Sequence, residues 1–266
     1  MQDILKVEKF NFSYDSKKPL LKSIEFVLKD GEKVALLGAN GTGKSTLMKL
    51  MMGLIKPSSG EMYLKSSSLV KTATNLEPNN DKWCIQDVKE VRKQLGYVFQ
   101  NADDQLFCAS VFDDVAFGVR NHIDSVTGKK LSIREVERRT LDALSAVEAL
   151  HLKDRAPYNL SGGEKRAVAI ATVLSMQPRI ILMDEPSTAL DPHSRRSLIH
   201  LLKKLFQTLF ITTHDLELAL EVCDRVLIIN HGIIVADGPP LEVLSNSELL
   251  TENRLEMPYS LKFKLK

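Results

Sequence analysis

The chain has 266 residues, of which 44% are hydrophobic and 26% are charged, and its formal net charge at pH 7 is +2. These values fit a soluble chain with one large domain or one and a half, and the scattered basic residues argue against a nucleic-acid partner. Three cysteines without a C-x-x-C pair make a disulfide framework or zinc site unexpected and favour a reducing cytosol. No apolar run approaches the roughly 20 residues that span a bilayer, so we expect a chain that does not itself cross a membrane, although it could dock on a protein that does.

The first segment, residues 3–30, alternates apolar and polar side chains, and Ile24, Phe26 and Leu28 share one face. This period of two predicts an antiparallel hairpin. A turn at Asp30 and Gly31 then leads into a short apolar strand at 34–37.

A glycine-rich string, GANGTGKST at 38–46, follows that strand and leads into a helical stretch at 44–54. The string and its strand–loop–helix context match a phosphate-binding loop, whose glycines let backbone N–H groups surround phosphate oxygens. Lys44 can reach the β- and γ-phosphates, and Ser45 can offer its hydroxyl to Mg²⁺. We therefore predict nucleoside triphosphate binding by Gly38, Ala39, Asn40, Gly41, Thr42, Gly43, Lys44, Ser45 and Thr46.

The middle of the chain begins with a polar, irregular stretch at 60–90, which we interpret as a surface insertion with little structure. A buried strand is predicted at 95–99, and Gln100 directly after it is a candidate contact for Mg²⁺ and the attacking water. The segment 103–150 is predicted to be helical and separate from the sheet. Its main helix is expected to begin with a capping box between Ser132 and Glu135. The predicted apolar stripe of that helix contains Ile133, Val136, Leu144 and Val147.

The string LSGGE at 160–164 opens a long helix. Two adjacent glycines after a serine leave N–H groups available to an anion, so Ser161, Gly162 and Gly163 are candidate nucleotide contacts. The alternative is a serine N-cap followed by a flexible glycine pair.

Another buried strand, at 180–183, ends in two carboxylates. Asp184 would hold Mg²⁺, directly or through water, and Glu185 would act as general base for the attacking water, a role worth roughly 10²–10⁴-fold. The alternative is a solvated acidic turn. His214, which follows a predicted strand at 209–213, could contact the γ-phosphate and orient Glu185 or the water.

A helix at 192–206, strands at 226–230 and 233–236, and a tail with one short helix and a basic end complete the chain. Helices that alternate with buried strands predict an α/β domain with a largely parallel sheet.

The order of these features indicates the class. The phosphate loop, Gln100, LSGGE, the strand ending in Asp184 and Glu185, and His214 follow one another along the chain. In this the chain resembles the nucleotide-binding domain of ATP-binding cassette (ABC) proteins, over at least residues 5–240. The resemblance implies a P-loop NTPase core of the ABC ATPase type with an N-terminal antiparallel β subdomain and a helical signature-motif subdomain. The expected limits are 1–240 for the domain, about 101–175 for its helical subdomain and 241–266 for the tail.

The resemblance also implies a mechanism. Tyr14 falls where the family stacks an aromatic ring on adenine, and Ala189-Leu190-Asp191 matches the loop that crosses the dimer interface. Two such domains lie head to tail, so that Ser161 and Gly163 would contact ATP in trans. ATP and Mg²⁺ would close the dimer and hydrolysis would loosen it. The second ATPase subunit could be the same chain or a paralogue.

Several stretches of the sequence indicate a subgroup of the ABC proteins. GYVFQNADDQLF at 96–107 and VFDDVAFG at 111–118 resemble the region after the glutamine loop in ATPases of cobalt, nickel and vitamin importers, the energy-coupling factor group. LSGGEKR at 160–166, ENRLEMP at 252–258 and the 22 residues between Asp191 and His214 add to that likeness, whereas 66–90 departs from it.

That subgroup implies docking on coupling helices of integral membrane transport subunits, here through residues 101–119. Four acids would make the docking surface negative, unless they only cap helices: Asp103, Asp104, Asp113 and Asp114. We thus expect a peripheral ATPase on the cytoplasmic face of the cell membrane that powers uptake of a metal ion or vitamin. The alternatives are an ATPase of another ABC importer or exporter, and a non-transport ABC ATPase acting on DNA or ribosomes. The residues after Gln100 disfavour the first, and the single cassette without a long coiled coil disfavours the second.

Overall fold

The computed structural model describes residues 1–15, 18–65, 88–121 and 129–263. In chain order the elements are β1 (Asp3–Phe12), β2 (Leu21–Lys29), β3 (Lys33–Leu37), α1 (Lys44–Met51), β4 (Ser59–Leu64), α2 (Val88–Gln94), β5 (Leu95–Val98), α3 (Val111–Arg120), α4 (Ile133–Ala146), α5 (Gly162–Leu174), β6 (Ile180–Asp184), α6 (Pro192–Lys204), β7 (Thr208–Thr212), α7 (Leu216–Val222), β8 (Arg225–Asn230), β9 (Ile233–Gly238), α8 (Pro240–Ser245), α9 (Ser247–Glu252) and α10 (Tyr259–Lys262). No helix among these residues is long and apolar enough to cross a membrane.

The chain divides into two compact units. Unit 1 comprises Met1–Arg92 and Phe206–Lys266, and unit 2 comprises Lys93–Leu205. The expected limits of the nucleotide-binding domain, its helical subdomain and its tail are a functional division and stay a prediction.

The N-terminal hairpin of unit 1 is confirmed. Strands β1 and β2 pair antiparallel, with Val7 opposite Phe26 and Phe10 opposite Ile24, and all four side chains are buried. The alternation of apolar residues read from the sequence is therefore the alternation between core and solvent faces.

A third strand, β4, pairs antiparallel with the other side of β1. The expected irregular stretch at 60–90 is thus wrong at its start, where Met62 and Leu64 are buried on one face of β4 and supply core contacts. It is also wrong at its end, where α2 begins at Val88. The remainder, residues 66–87, lies outside the described residues.

The second sheet of unit 1 carries the strand order β7-β3-β8-β9. Strand β3 is parallel to β7 and β8, and β9 is antiparallel to β8. Phe26 stacks on Phe210 with ring centroids 5.3 Å apart, which links β2 to β7. Because the carboxyl ends of parallel strands meet at one edge, the segments that follow β3 and β7 emerge side by side.

In unit 2 strands β5 and β6 are parallel, and Ala116 and Val119 of α3 form a buried cluster with Val136 of α4. Only half of the expected capping box at α4 forms. Ser132 accepts a hydrogen bond from the N–H of Glu135, but the Glu135 carboxylate binds two arginines of its own helix, Arg138 and Arg139. These bonds lower the pKa of Glu135 to about 2.

The apolar stripe of α4 is shorter than expected. Val136, Leu144 and Val147 are buried, but Ile133 is 86% exposed, since burial begins one turn after the helix start. The tail also differs from expectation, because it contains three short helices. It is held on α7 by Ser260, whose N–H and hydroxyl both bond the Glu217 carboxylate.

Arg225 joins several segments of unit 1. Its guanidinium binds both carboxylate oxygens of Asp237, donates to the carbonyl of Val27 at 2.9 Å and lies 3.5 Å from buried Glu32. We expect Arg225→Met to lower the free energy of unfolding by about 1–3 kcal/mol, because it leaves partly buried acceptors without their charged donor.

Urea unfolding followed by circular dichroism measures this loss. Lys6→Met is the control, since the Lys6–Glu8 pair is largely exposed and should contribute much less. Equal losses in the two variants would contradict the role given to Arg225.

Candidate functional site

The phosphate-loop string forms a tight connection between β3 and α1. Gly38 has a φ of 155°, and a Cβ there would lie 2.4 Å from the carbonyl oxygen of Ile229. Gly43, the N-cap of α1, has a φ of 103°, and a Cβ there would lie 2.7 Å from Leu21. Both positions therefore require glycine. In the described structure no side chain caps the first turn of α1, so its N–H groups are suited to an anion.

Lys44 lies across this loop. Its side chain is 7% exposed, and its Nζ donates to the carbonyls of Gly38 at 2.7 Å and Ala39 at 3.3 Å. The Nε2 atom of His214, which follows β7, lies 3.3 Å from the same Nζ. The loop is closed by Thr42, whose hydroxyl donates to Ala39 at 2.9 Å. The fold thus brings two of the predicted residues, Lys44 and His214, to one point, and a buried ammonium beside uncapped N–H groups fits a polyphosphate.

Tyr14 stands next to the same helix. Its ring is 67% exposed, its hydroxyl lies 3.3 Å from Oγ1 of Thr46, and Phe12 packs edge-on at 4.8 Å. The ring is therefore held in place while it remains accessible to a ligand.

In unit 2 the two carboxylates at the end of β6 are buried. Asp184 is 5% exposed and Glu185 is 7% exposed, so the alternative of a solvated acidic turn is wrong. Glu185 has a φ of 47°, which a glutamate rarely adopts. Strained backbone of this kind is concentrated at functional sites.

Tyr97 is a candidate site residue that the sequence analysis missed. Its hydroxyl donates to Oδ2 of Asp184 at 3.1 Å. Burial and then the Asp184 charge raise the pKa of Tyr97, so the phenol stays protonated and remains a donor. The signal available in the sequence was its place in the predicted strand at 95–99, directly before Gln100.

Gln100 is exposed, and its carbonyl accepts a hydrogen bond from Arg166. Among the described residues no group of three or more His, Cys, Asp or Glu side chains could hold a metal ion. Mg²⁺ at such a site would depend on one carboxylate, hydroxyl or amide ligands and substrate oxygens, which is the usual pattern for this ion.

The LSGGE string begins α5. Ser161 and Glu164 form a complete capping box, in which the Ser161 hydroxyl oxygen accepts from N–H of Glu164 at 3.3 Å and Glu164 accepts from N–H of Ser161 at 2.8 Å. These bonds lower the pKa of Glu164. The N-cap alternative is thus correct for Ser161, but its hydroxyl proton is still available to a ligand.

Gly163 touches the helix that follows the Ala189-Leu190-Asp191 loop. Asp191 caps α6 by accepting from the N–H groups of His193 and Ser194, and it also accepts from the Ser194 hydroxyl at 2.6 Å. A Cβ on Gly163 would lie 2.2 Å from that hydroxyl oxygen and 2.7 Å from the Ser194 Cβ. No side chain fits at position 163 without displacing α6.

The expected acidic docking surface is only partly acidic. Asp114 is 4% exposed and accepts from the N–H groups of Phe107 and Cys108, so this acid caps a turn and cannot face a partner. Asp113 pairs with Arg120, and Asp103 pairs with Lys165. Asp103 and Asp104 remain exposed, and two exposed aromatic rings accompany them in the segment. We call these rings, Phe107 and Phe117, the aromatic patch; their centroids lie 5.1 Å apart.

The fold and loops described here define an ATPase of the ABC type. The model of the ABC transporter family matches residues 21–188, more than half of the chain, and the chain therefore belongs to that family. It is the ATP-binding and ATP-hydrolysing component, as predicted, and the predicted fold class is confirmed.

Relatives support this assignment along the whole chain. A Geobacter sulfurreducens protein with the provisional name of ABC transporter ATP-binding protein is 43% identical, covering 97% of this chain and 95% of its own. The energy-coupling factor transporter ATP-binding protein EcfA of Methanocaldococcus jannaschii is 38% identical, covering 96% and 86%. The structure of CbiO1 from Clostridium perfringens, part of the ABC transporter complex CbiONQ, superposes with a TM-score of 0.78, at 35% identity over 100% of each chain.

The two glycines of LSGGE give a matched pair for testing the packing of α5. Gly163→Ala should lower the thermal unfolding midpoint of the nucleotide-free protein, because the new Cβ collides with Ser194. Gly162→Ala should leave the midpoint unchanged or raise it, because nothing lies within 4 Å of the added Cβ and alanine favours the helix.

Differential scanning calorimetry compares the two variants. Adding Ser194→Gly to Gly163→Ala should restore much of the lost midpoint, since it removes both clashing atoms. If Gly162→Ala and Gly163→Ala were equally destabilised, the close approach to α6 would not be the cause.

Proposed function

We propose that this ATPase is the ATP-hydrolysing subunit of a membrane importer of the energy-coupling factor type, which takes up a metal ion such as cobalt or nickel, or a vitamin. The observation that carries the proposal is the full-length likeness to CbiO1 and EcfA. The stretch at 96–118, which resembles that group, also carries the exposed aromatic patch.

ATP would bind to the phosphate loop and to Tyr14. Tyr14 would stack on adenine, and Gly38 to Thr46 would enclose the phosphates. The uncapped first turn of α1 and the buried Lys44 ammonium support this assignment. Ser161, Gly162 and Gly163 would contact the nucleotide held by a second ATPase subunit in a head-to-tail dimer. Ser161 and Gly162 are exposed at the N-terminus of α5, which supports contact with another molecule.

Mg²⁺ would be held by Ser45, Gln100 and Asp184, where it neutralises charge on the phosphate oxygens. Glu185 would accept a proton from the attacking water. Lys44 and His214 would contact the γ-phosphate, and Gln100 would orient the water. The burial of Asp184 and Glu185 supports their part in this scheme, because a water-excluded carboxylate interacts more strongly with nearby charge.

Dimer closure would be transmitted to integral membrane subunits that dock at residues 101–119. The protein would then be a peripheral subunit at the cytoplasmic face of the cell membrane. Because Asp114 is buried, the docking surface would offer exposed rings from the aromatic patch beside Asp104 and the paired Asp103. Aromatic side chains are enriched at the cores of protein interfaces.

Glu185→Gln tests the chemistry. We expect ATP hydrolysis to fall by roughly 10²–10⁴-fold, because the amide cannot accept the proton, while ATP binding is retained. The variant should then accumulate as a dimer in ATP and Mg²⁺, measured by size-exclusion chromatography with light scattering. Glu148→Gln, which changes an exposed carboxylate, should hydrolyse ATP at the parental rate. A parental rate for Glu185→Gln would remove the general-base assignment.

Co-purification from gently solubilised membranes tests the transport assignment. The tagged chain should recover integral membrane subunits, identified by mass spectrometry. Phe107→Asp should reduce their recovery, because it places a charge in the aromatic patch. Phe206→Asp alters a residue that is also exposed but lies outside that patch, and it should not reduce recovery. Recovery of only ribosomes or DNA would contradict the transport proposal.

A further inference from the structure

We infer that Arg166 is a positioning residue, which fixes the backbone on either side of the Phe99–Gln100 peptide to helix α5. The inference rests on the proposed function for its claim that Gln100 contacts Mg²⁺. It adds that the orientation of Gln100 is set by the same helix that presents Ser161 and Gly163. We call residues 99–105 the Gln100 segment.

The contact between Arg166 and this segment is direct. Its guanidinium donates from Nη1 to the carbonyl of Phe99 at 2.6 Å and from Nη2 to the carbonyl of Gln100 at 2.5 Å. The two consecutive carbonyls are thus gripped by one rigid, planar group. Because main-chain atoms are held, the exposed Gln100 side chain is left available to a ligand.

Burial of the Arg166 guanidinium carries a high desolvation cost. It is 4% exposed, and within the described residues its Nε is buried without a hydrogen-bond partner. An apolar side chain of similar volume would fill such a position at a lower desolvation cost. The advantage of arginine at position 166 is therefore geometric, because its forked guanidinium can hold both carbonyls at once.

Two further side chains link the Gln100 segment to α5. The amide of Gln105 donates to the carbonyl of Ala169 at 2.8 Å and to the hydroxyl of Thr172 at 2.7 Å, and its oxygen accepts from N–H of Phe99 at 3.0 Å. Lys165 binds Asp103 at 2.6 Å. The segment is therefore held at several points along the helix, so that it follows α5 as one body.

These contacts connect two proposed nucleotide-site residues, Ser161 at the start of α5 and Gln100. Ser161 lies little more than one helical turn before Arg166, and a helix transmits displacement with little loss over that length. A shift at the Ser161 end, such as one caused by nucleotide, would therefore move the backbone at Gln100. Conversely, loss of the grip should loosen Gln100 without removing any atom of the proposed Mg²⁺ site.

Two measurements on the full-length chain test this inference. Hydrogen–deuterium exchange in nucleotide-free protein should show faster exchange of peptides covering 99–105 in Arg166→Met. The Mg²⁺ concentration for half-maximal ATPase activity should rise by about tenfold or more, as for lost supporting contacts around metal sites, while KM for ATP at saturating Mg²⁺ changes less. Arg166→Lys should restore part of both effects, because it can still bond one carbonyl.

The controls separate this inference from the proposed function. Gln105→Met removes a link without disturbing a buried charge, so it serves if Arg166→Met does not fold. Lys165→Met breaks a partly exposed pair and should have the smallest effect. Gln100→Ala should shift the Mg²⁺ dependence by itself, and Arg166→Met should add little to it, because both act through one contact.

The outcomes are distinct. If Gln100→Ala leaves the Mg²⁺ dependence unchanged, the proposed metal role of Gln100 is wrong. The exchange data at 99–105 still test whether Arg166 holds that backbone. If Gln100→Ala shifts the dependence but Arg166→Met and Gln105→Met change neither exchange nor Mg²⁺ dependence, the inference is overturned. A lower unfolding temperature with unchanged exchange at 99–105 and unchanged Mg²⁺ dependence would also overturn it.

Discussion

The close approach of the phosphate loop to β8 is the constraint on which the nucleotide end of unit 1 depends. A side chain at position 38 would collide with the carbonyl of Ile229, so only glycine fits where the chain turns at the end of β3. That turn puts the carbonyls of Gly38 and Ala39 within reach of the buried Lys44 ammonium, which donates to both. The parallel pairing of β3 and β7 then delivers His214 to the same ammonium. The steric requirement for glycine at position 38 thus underlies the Lys44 contacts described here.

Much of the fold followed from sequence because its signals are local. The hairpin, the phosphate loop and the buried strands each carry their own periodicity or glycine pattern, and the structure confirms them. The failures at β4 and Ile133 have a different origin. Burial there depends on what a neighbouring element covers, which a single segment does not encode. Asp114 was misjudged for the same reason, since its role is set by the N–H groups of Phe107 and Cys108.

The candidate site was predictable as a set of residues but not as a network. Motif spacing indicated Lys44, Asp184 and Glu185 as candidates, because phosphate and Mg²⁺ require particular groups at the ends of strands. Tyr97 and Arg166 carry no motif that the sequence analysis recognised. The roles proposed for them rest on hydrogen bonds to Asp184 and to main-chain carbonyls, which exist only once β5, β6 and α5 are assembled. Supporting contacts of this kind are the part of a site that sequence reasoning loses first.

The positive φ of Glu185 carries an evolutionary consequence. A backbone in that region costs of order 1–3 kcal/mol for a residue other than glycine, and asparagine or glycine would occupy it more comfortably. A screen that selects for thermal resistance alone should accordingly favour those residues at position 185, and the proposed general-base role implies that the selected proteins would hydrolyse ATP slowly. The strained backbone at Glu185 is thus compatible with the general-base role proposed for it, because a functional position can keep a residue that its backbone disfavours.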